Sequence, residues 1–171
     1  MSPAAEQYFG KYRGTVIDNV DPMQIGRILV EVPDVSGVLP SSWAMPCVPV
    51  AGINTGILSV PPIGSGVWIE FEQGDPDYPI WVGGFWGSAA ELPALGHEVV
   101  PPIGGITLQT PLANGIVISD LPGAGGIQLM TATGASILIT ETGIVISNGQ
   151  GAVISMVGPT VDINAGAMTV V

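Results

Sequence analysis

The sequence predicts an all-β protein made of two different parts. Short strand-like runs recur between turn residues, and no stretch shows the periodicity of an amphipathic helix. The composition also changes: from Val99 onward there is no Lys, Arg or aromatic residue, and Asp120, Glu141 and Asp162 are the only charged side chains. These observations predict four segments: an N-terminal arm (1–9), a barrel domain (10–88), a linker rich in Pro, Gly and Ala (89–104) and a C-terminal β domain (105–171).

Strands and turn signals alternate in the first part. The runs GRILVEV (26–32) and GVWIEFEQ (66–73) alternate apolar and other residues, which is the period-2 pattern of strands with one buried face. YRGTVIDN (12–19) and IWVGGF (80–85) are also strand-like. About five short strands favour a small Greek-key barrel of the oligonucleotide/oligosaccharide-binding (OB) type, and the periodicity is equally compatible with another small barrel.

The second part repeats a one-sided strand pattern eight times, at steps of 7 to 11 residues. Alternate positions form a wholly apolar set, whereas the positions between them, such as Thr107 and Gln128, are mixed. The predicted inward set is Ile106, Leu108, Ile116, Ile118, Ile127, Leu129, Ile137, Ile139, Ile144, Ile146, Ile154, Met156, Val161 and Ile163, followed by Met168 and Val170 in the last run.

These strands predict a homotrimer. A single chain would leave an apolar face uncovered and strand edges unprotected by Lys, which is an aggregation hazard. Three chains wound around a threefold axis would bury the apolar set in a central prism and pair their edges with one another, with glycines at the corners. The alternative is a single-chain β-solenoid, which is disfavoured because about 65 residues make few coils and no capping element is present.

Charge and composition exclude several functions. The chain has 3 basic and 14 acidic residues, a net charge of −11, so we expect no binding to nucleic acid or to an anionic membrane surface. Prolines interrupt the uncharged run 35–69, which rules out a membrane-spanning helix. No apolar signal region is present near the start, so we expect assembly in the cytoplasm. The single cysteine, Cys47, is expected to be a small buried apolar residue.

No group of residues predicts catalysis or a bound cofactor. Asp75 and Asp77 flank a proline in a turn, where Asp is favoured for local hydrogen bonds. His97 would occur three times around a trimer axis, where three imidazoles can hold a metal, but a lone histidine in a linker is expected to be exposed. The four tryptophans, Trp43, Trp68, Trp81 and Trp86, are expected in the core or at subunit contacts rather than in a stacking platform.

Two blocks of the first part resemble a known family. They are N-x-D-P followed by G-R-[IV]-x-V (19–30), and P-x-G-x-x-V-x-[IV]-x-F-E-x-G-D-P-x-x-P (62–79). Over residues 10–88 the chain is similar to the OB-fold domain of contractile-tail central spikes, which include phage baseplate spikes and type VI valine-glycine repeat proteins. The order of parts fits this family too, because such spikes continue into an intertwined trimeric β-helix.

The resemblance implies a structural protein rather than an enzyme: a spike in the tail baseplate of a virion or related injection particle, docked under a hub and driven through a target membrane. The linker is too short for the lysozyme domain that some relatives insert, and no His-x-His tip motif lies near Val171. The resemblance therefore implies a blunt end at Met168, Val170 and Val171, capped by a separate Pro-Ala-Ala-Arg-repeat tip protein.

Two alternative functions remain. One is an OB-fold module that binds glycan or single strands and carries a fibrous trimerisation tail, and the other is an enzyme acting on cell-wall sugar. The near-absence of charge in the second part fits either a low cost of crossing hydrocarbon or the suitability of Ser, Thr, Gly and Asn for tight β-turns.

Overall fold

Strands supply nearly all of the regular structure, as the sequence predicts. The computed structural model describes residues 6–99 and 101–170, and the chain divides into two compact units between Ala89 and Ala90. The strands of the first unit are β1 (Tyr12–Asp18), β2 (Leu29–Glu31), β3 (Met45–Pro46), β4 (Ala51–Gly52), β5 (Thr55–Gly56), β6 (Gly66–Phe71) and β7 (Pro79–Phe85). The helical segments are α1 (Pro33–Ser36) and the 3-10 helices Glu72–Gly74, Ala89–Glu91 and Ala94–Val99.

The first unit is a small barrel. Its five-stranded sheet has the order β2-β1-β6-β7-β3, antiparallel except for the parallel pair β7–β3. Isolated bridges between Ile28 and Ala44 and between Glu31 and Pro40 join the β2 side to the β3 side and close the barrel. The β4–β5 hairpin is a separate two-stranded sheet.

The barrel core contains the apolar faces that the alternation predicts. Each fully buried Val or Ile contributes about 1.5–3 kcal/mol relative to exposure, so this cluster is sufficient to hold a small domain together. Its buried members are Val16, Ile28, Val30, Val32, Ala44, Val67, Ile69, Phe71 and Trp81.

Residues 6–9, the described part of the predicted N-terminal arm, dock on the barrel. The Tyr8 backbone N–H donates to the Gly74 carbonyl over 2.8 Å, and the Tyr8 ring lies 6.0 Å from that of Tyr12 and 6.1 Å from that of Phe71. Residues 1–5 of the arm lie outside the described residues.

The second unit is an eight-stranded antiparallel meander in which every strand pairs with its neighbours in sequence. All eight predicted strands are present, each with its predicted apolar pair. They are β8 (Gly105–Gln109), β9 (Gly115–Ser119), β10 (Gly126–Met130), β11 (Ser136–Ile139), β12 (Ile144–Ser147), β13 (Val153–Val157), β14 (Thr160–Ile163) and β15 (Met168–Val170).

The source of the strand pairing differs from expectation. Strands β9 to β14 have both of their neighbours within the same chain, so the expectation that their edges pair with other chains is wrong. Short turns join consecutive strands, and closing a short loop costs less entropy than bringing distant segments together. Local pairing therefore completes the sheet and leaves its apolar face as the surface that needs a partner.

Part of the segment predicted as a linker is folded. The 3-10 helix Ala94–Val99 packs on β8 and β9: the Leu95 N–H donates to Gln109 Oε1 over 2.9 Å, and Thr107 Oγ1 donates to the Leu95 carbonyl over 3.4 Å. Val117, on the same face of the sheet, is 2% exposed. No helix in the described ranges is long and apolar enough to cross a membrane.

Candidate functional site: the apolar face of the C-terminal sheet

The register of the second unit aligns the predicted apolar set into two continuous columns. Each member is the cross-strand partner of the next, so that neighbouring side chains lie about 5 Å apart on one face. The first column runs Ile106, Ile118, Ile127, Ile139, Ile144, Met156, Val161, Val170. The second runs Leu108, Ile116, Leu129, Ile137, Ile146, Ile154, Ile163, Met168. We call these two columns together the apolar face.

This face is uncovered in the single chain. Its most exposed members lie at the two ends of the sheet, with Leu108 at 62% and Met168 at 57%, while Ile137 in the middle is still 37% exposed. Among the described side chains of β8–β15, only Val117, on the opposite face, is buried. Soluble monomers rarely expose apolar patches of more than a few hundred Å². The sheet therefore lacks a core of its own, in contrast to the barrel.

The opposite face is of mixed polarity. Its central row also pairs strand by strand and runs Thr107, Val117, Gln128, Leu138, Val145, Ser155, Asp162, Thr169. Two polar members of this row have partners within the chain: Thr107 Oγ1 donates to the Leu95 carbonyl, and Asp162 Oδ1 accepts from the Gly166 N–H. The two faces of the sheet therefore differ in polarity, and only one of them is apolar along both of its columns.

The turns between these strands depend on left-handed backbone and close approach. Gly149, in the β12–β13 turn, has φ +73°, and a Cβ there would lie 2.7 Å from the Gly134 carbonyl carbon. Gly134, with φ +90°, belongs to the β10–β11 turn, so these two turns pack against each other. Ala113 and Ala165 adopt left-handed φ values of +62° and +52° without being glycine. These turns set the edges of the sheet and keep its strands short.

The residues predicted for the tip and the histidine predicted to be exposed lie in different elements. Met168 is exposed on β15, the last strand of the sheet, while the side chain of Val170 and the whole of Val171 lie outside the described residues. His97 is exposed at the end of a 3-10 helix. In the described part of the chain, no three His, Cys, Asp or Glu residues lie close enough together to hold a metal ion.

A buried ion pair holds the loop between β1 and β2. Asp21 Oδ1 accepts from the Met23 N–H (2.9 Å) and from Arg27 Nε (3.0 Å) and Nη2 (2.7 Å), and Oδ2 accepts from the Ile25 and Arg27 N–H groups. The Asp21 side chain is 4% exposed. The hydrogen-bonded Arg27 guanidinium and these backbone donors outweigh desolvation and hold the pKa of Asp21 well below its ordinary value. The sequence indicated only a turn at Asp21. Arg27, six residues later, was the residue that could have indicated the ion pair.

Two further bonds explain the spacing of the motif blocks. Asn19 Nδ2 donates to the Pro61 carbonyl over 3.0 Å, which ties the first block to the start of the second. Trp81 Nε1 donates to the Gly26 carbonyl, also over 3.0 Å, from within the core. The acidic turn at Asp75 is local: its Oδ1 accepts from the Asp77 N–H over 3.0 Å. These side chains shape the barrel.

The tryptophans and the cysteine occupy different environments. Trp81 is in the core, as predicted, whereas Trp86 is 61% exposed; Trp43 lies under the Arg27 guanidinium at 5.4 Å. The prediction that Cys47 is buried is wrong: its thiol is free and exposed. The reason is that Cys47 follows the two-residue strand β3 at the edge of the sheet, and no strand among the described residues lies beyond that edge.

Comparison with protein families assigns both units. Residues 12–86 match the type VI secretion system/phage-baseplate injector OB domain, and residues 105–169 match the phage baseplate V C-terminal trimerisation domain. No match was found among curated proteins. The two domain matches confirm the predicted fold class, an OB barrel followed by a C-terminal trimerisation domain, and they support a structural role in a tail baseplate spike. The chain therefore belongs to the phage baseplate V family of phage and type VI injector spikes.

Proposed function

We propose that this protein is the homotrimeric central spike of a phage tail or related contractile injection particle, and that it pierces the target envelope. The observation that carries the proposal is the uncovered apolar face, whose two columns span all eight strands of a domain that matches a trimerisation family. Three such faces turned toward one axis form a closed prism, since rotational symmetry limits the assembly to a fixed number of chains. The predicted inward set, from Ile106 to Ile163, is then the trimer core.

The geometry of the sheet suits a short, stiff rod. Eight strands at about 4.8 Å spacing extend about 34 Å, and strands of four or five residues are about 15 Å long. Three sheets of this size make a prism longer than it is wide. Bending the prism requires breaking ladder hydrogen bonds and separating apolar columns together, so a force applied along it is transmitted rather than absorbed.

The ends of the rod have different partners in this proposal. The barrels lie toward a baseplate hub, and sheath contraction drives the rod through the membrane of the target cell. The far end, at Met168, Val170 and Val171, contacts a separate tip protein of the Pro-Ala-Ala-Arg-repeat kind. Support for the second contact is the edge of β15 that no described strand pairs, beside which Met168 is 57% exposed. The particle is assembled in the bacterial cytoplasm, and the spike itself carries out no catalysis and binds no cofactor.

The first experiment measures the mass of the purified full-length chain in solution and its mobility on an SDS gel with and without boiling. The expected result is a mass of three chains, and a trimer band in the unboiled sample that boiling converts to monomer. A chain that sediments as a folded monomer would refute the proposal. Hydrolysis of peptidoglycan, or retention on immobilised oligosaccharide, would instead support one of the two rival functions.

A second experiment removes residues 105–171. Because the barrel has its own buried core, the remaining domain should stay soluble and folded but be monomeric or weakly associated. A truncated barrel that remains a tight trimer would show that the C-terminal sheet does not hold the chains together.

A further inference from the structure

The barrel carries a hairpin whose tip is apolar. Among the described strands, β4 and β5 pair only with each other. Ile53 lies in the turn between them and is 95% exposed, at a position where turns favour Gly, Asn or Asp. Ile57 and Leu58, which follow the hairpin, are 58% and 70% exposed. A two-stranded hairpin is marginal in water by itself, so this one gains most from docking on a surface.

The same domain carries an apolar groove of about 480 Å³. One wall is β7, whose partner β3 pairs only with Ile80 and Trp81. On that side, no strand within the described ranges pairs with 82–85, so the groove offers a free strand edge as well as apolar side chains. We call it the Cys47 groove; its lining is Cys47, Val48, Pro49, Ile57, Ser59, Trp81, Val82 and Gly83.

The distribution of charge favours a second copy of this chain as the partner that binds in the Cys47 groove. The run 35–69, which contains the hairpin and one wall of the groove, has no charged residue, whereas the chain carries a net charge of −11. Copies with the same net charge repel where acidic surfaces meet, and like charges brought together at an interface cost several kcal/mol. An uncharged surface is where copies approach one another without this penalty. In a ring of three, each contact joins two different patches, so one domain must present both a protrusion and a recess.

We propose that the β4–β5 hairpin of one copy occupies the Cys47 groove of the next, which closes a ring of three barrels. The inference rests on the homotrimer proposed above and adds a second, independent contact to it. Ile53 is the anchor of this contact, and the free edge beside Val82 is the surface on which the hairpin lies. Cys47, the only cysteine in the chain, is then covered by the neighbouring copy.

The native cysteine provides the test. In an Ile53→Cys variant, mild oxidation should link the new thiol of one copy to Cys47 of the next, because a disulfide requires Cα atoms within about 7 Å. The expected result is covalent dimers and trimers on a boiled, non-reducing gel. The control is Val38→Cys, which adds an equally exposed thiol (Val38 is 83% exposed) on another loop and should give no link.

Native mass measured on the same samples separates the two proposals. A trimer in which Ile53→Cys gives no link between chains, or no more than Val38→Cys gives, overturns the hairpin contact and leaves the spike standing. A monomer overturns both. An independent readout is the rate at which a maleimide labels Cys47. We expect Ile53→Asp to raise that rate at least tenfold over the unmodified trimer, and equal rates would refute the contact.

Discussion

Replacing Ile127 by Asp should prevent the chains from assembling. Ile127 lies within the first apolar column, between its cross-strand partners Ile118 and Ile139, and is 42% exposed in the single chain. In a trimer closed around this face, three carboxylates would replace three apolar side chains on the axis. An ionised carboxylate without a partner costs several kcal/mol to bury, and there is no basic residue after Arg27 to pair with it.

The milder variant Ile127→Ala sets the scale of the effect. With roughly 75 Å² of this side chain still exposed in the single chain, burial at about 25 cal/mol per Å² stabilises the trimer by about 2 kcal/mol per copy. Three copies give about 6 kcal/mol, and every 1.4 kcal/mol is a factor of ten in an equilibrium constant. Ile127→Ala should therefore weaken the three-chain association constant by up to about 10⁴-fold, and Ile127→Asp by more.

The assay is sedimentation velocity over a series of protein concentrations, together with unboiled SDS gels. The matched control is Gln128→Asp, which places the same charge one residue along on the opposite face. Gln128 has Val117 and Leu138 as cross-strand partners, with no acidic neighbour in its pairs. This control should remain trimeric at every concentration.

Two outcomes would refute the reasoning. If Ile127→Asp assembles with an unchanged midpoint, the apolar face is not the surface that joins the chains. If Gln128→Asp dissociates as readily as Ile127→Asp, the two faces are not distinguished by assembly, and the proposed inward set is incorrect.

Three further predictions concern single positions. Asp21→Asn removes the charge that Arg27 and the loop N–H groups bind, so the barrel should unfold at a lower temperature in thermal melts at pH 7. Because folding lowers the pKa of Asp21, this carboxylate stabilises the folded barrel fully at pH values above the pKa of Asp in the unfolded chain, which is about 4. That stabilisation is lost progressively as the pH falls below about 4. Thermal melts recorded down to about pH 2 should show the loss in the native chain and not in Asp21→Asn. Ala113→Gly relieves a left-handed backbone at φ +62° and should stabilise the protein by about 0.5–1 kcal/mol, read from the shift of the denaturation midpoint. Gly149→Ala should destabilise it by about 1–3 kcal/mol in the same measurement, because the new methyl group would contact the Gly134 carbonyl carbon; an unchanged midpoint in either variant would contradict the turn assignment.

Periodicity predicted those parts of the molecule that are set by local pattern. The alternation in GRILVEV and GVWIEFEQ identified Ile28, Val30, Val67 and Ile69 as core residues, because a strand with one buried face has a fixed period of two. The same rule located all eight strands of the second unit. It also grouped the residues of the apolar face before any pairing was known, since a shift of one residue would move every side chain to the other face.

Features that depend on distant partners were not predictable in this way. The ion pair between Asp21 and Arg27 forms because the loop folds back and places the two side chains together. The pattern of apolar positions contains no information on that loop conformation. The exposure of Cys47 follows from the early end of β3, which is a property of the sheet edge rather than of the local sequence. The source of strand pairing was also misjudged, because a one-sided pattern specifies the face that needs cover but does not say which chain supplies the hydrogen bonds.

The turns of the second unit offer a structural reason for its small number of charged residues. Asn148 Oδ1 accepts from the Gln150 and Ala152 N–H groups, and Thr140 Oγ1 donates to the Gly143 carbonyl in the preceding turn. Other bonds reach from one turn to the second turn along the chain or to the strand beside it: Asn114 Oδ1 accepts from the Ala132 N–H, and Asn164 Oδ1 accepts from the Val153 N–H.

Small neutral side chains reach their own backbone in this way, whereas Lys and Glu are too long and too strongly hydrated to replace them. Neutral residues therefore complete the turns, and aliphatic residues fill the apolar face. The short carboxylate of Asp162 acts in the same way, since its Oδ1 accepts from the Gly166 N–H over 2.6 Å. The absence of Lys and Arg from the second unit fits this division of roles.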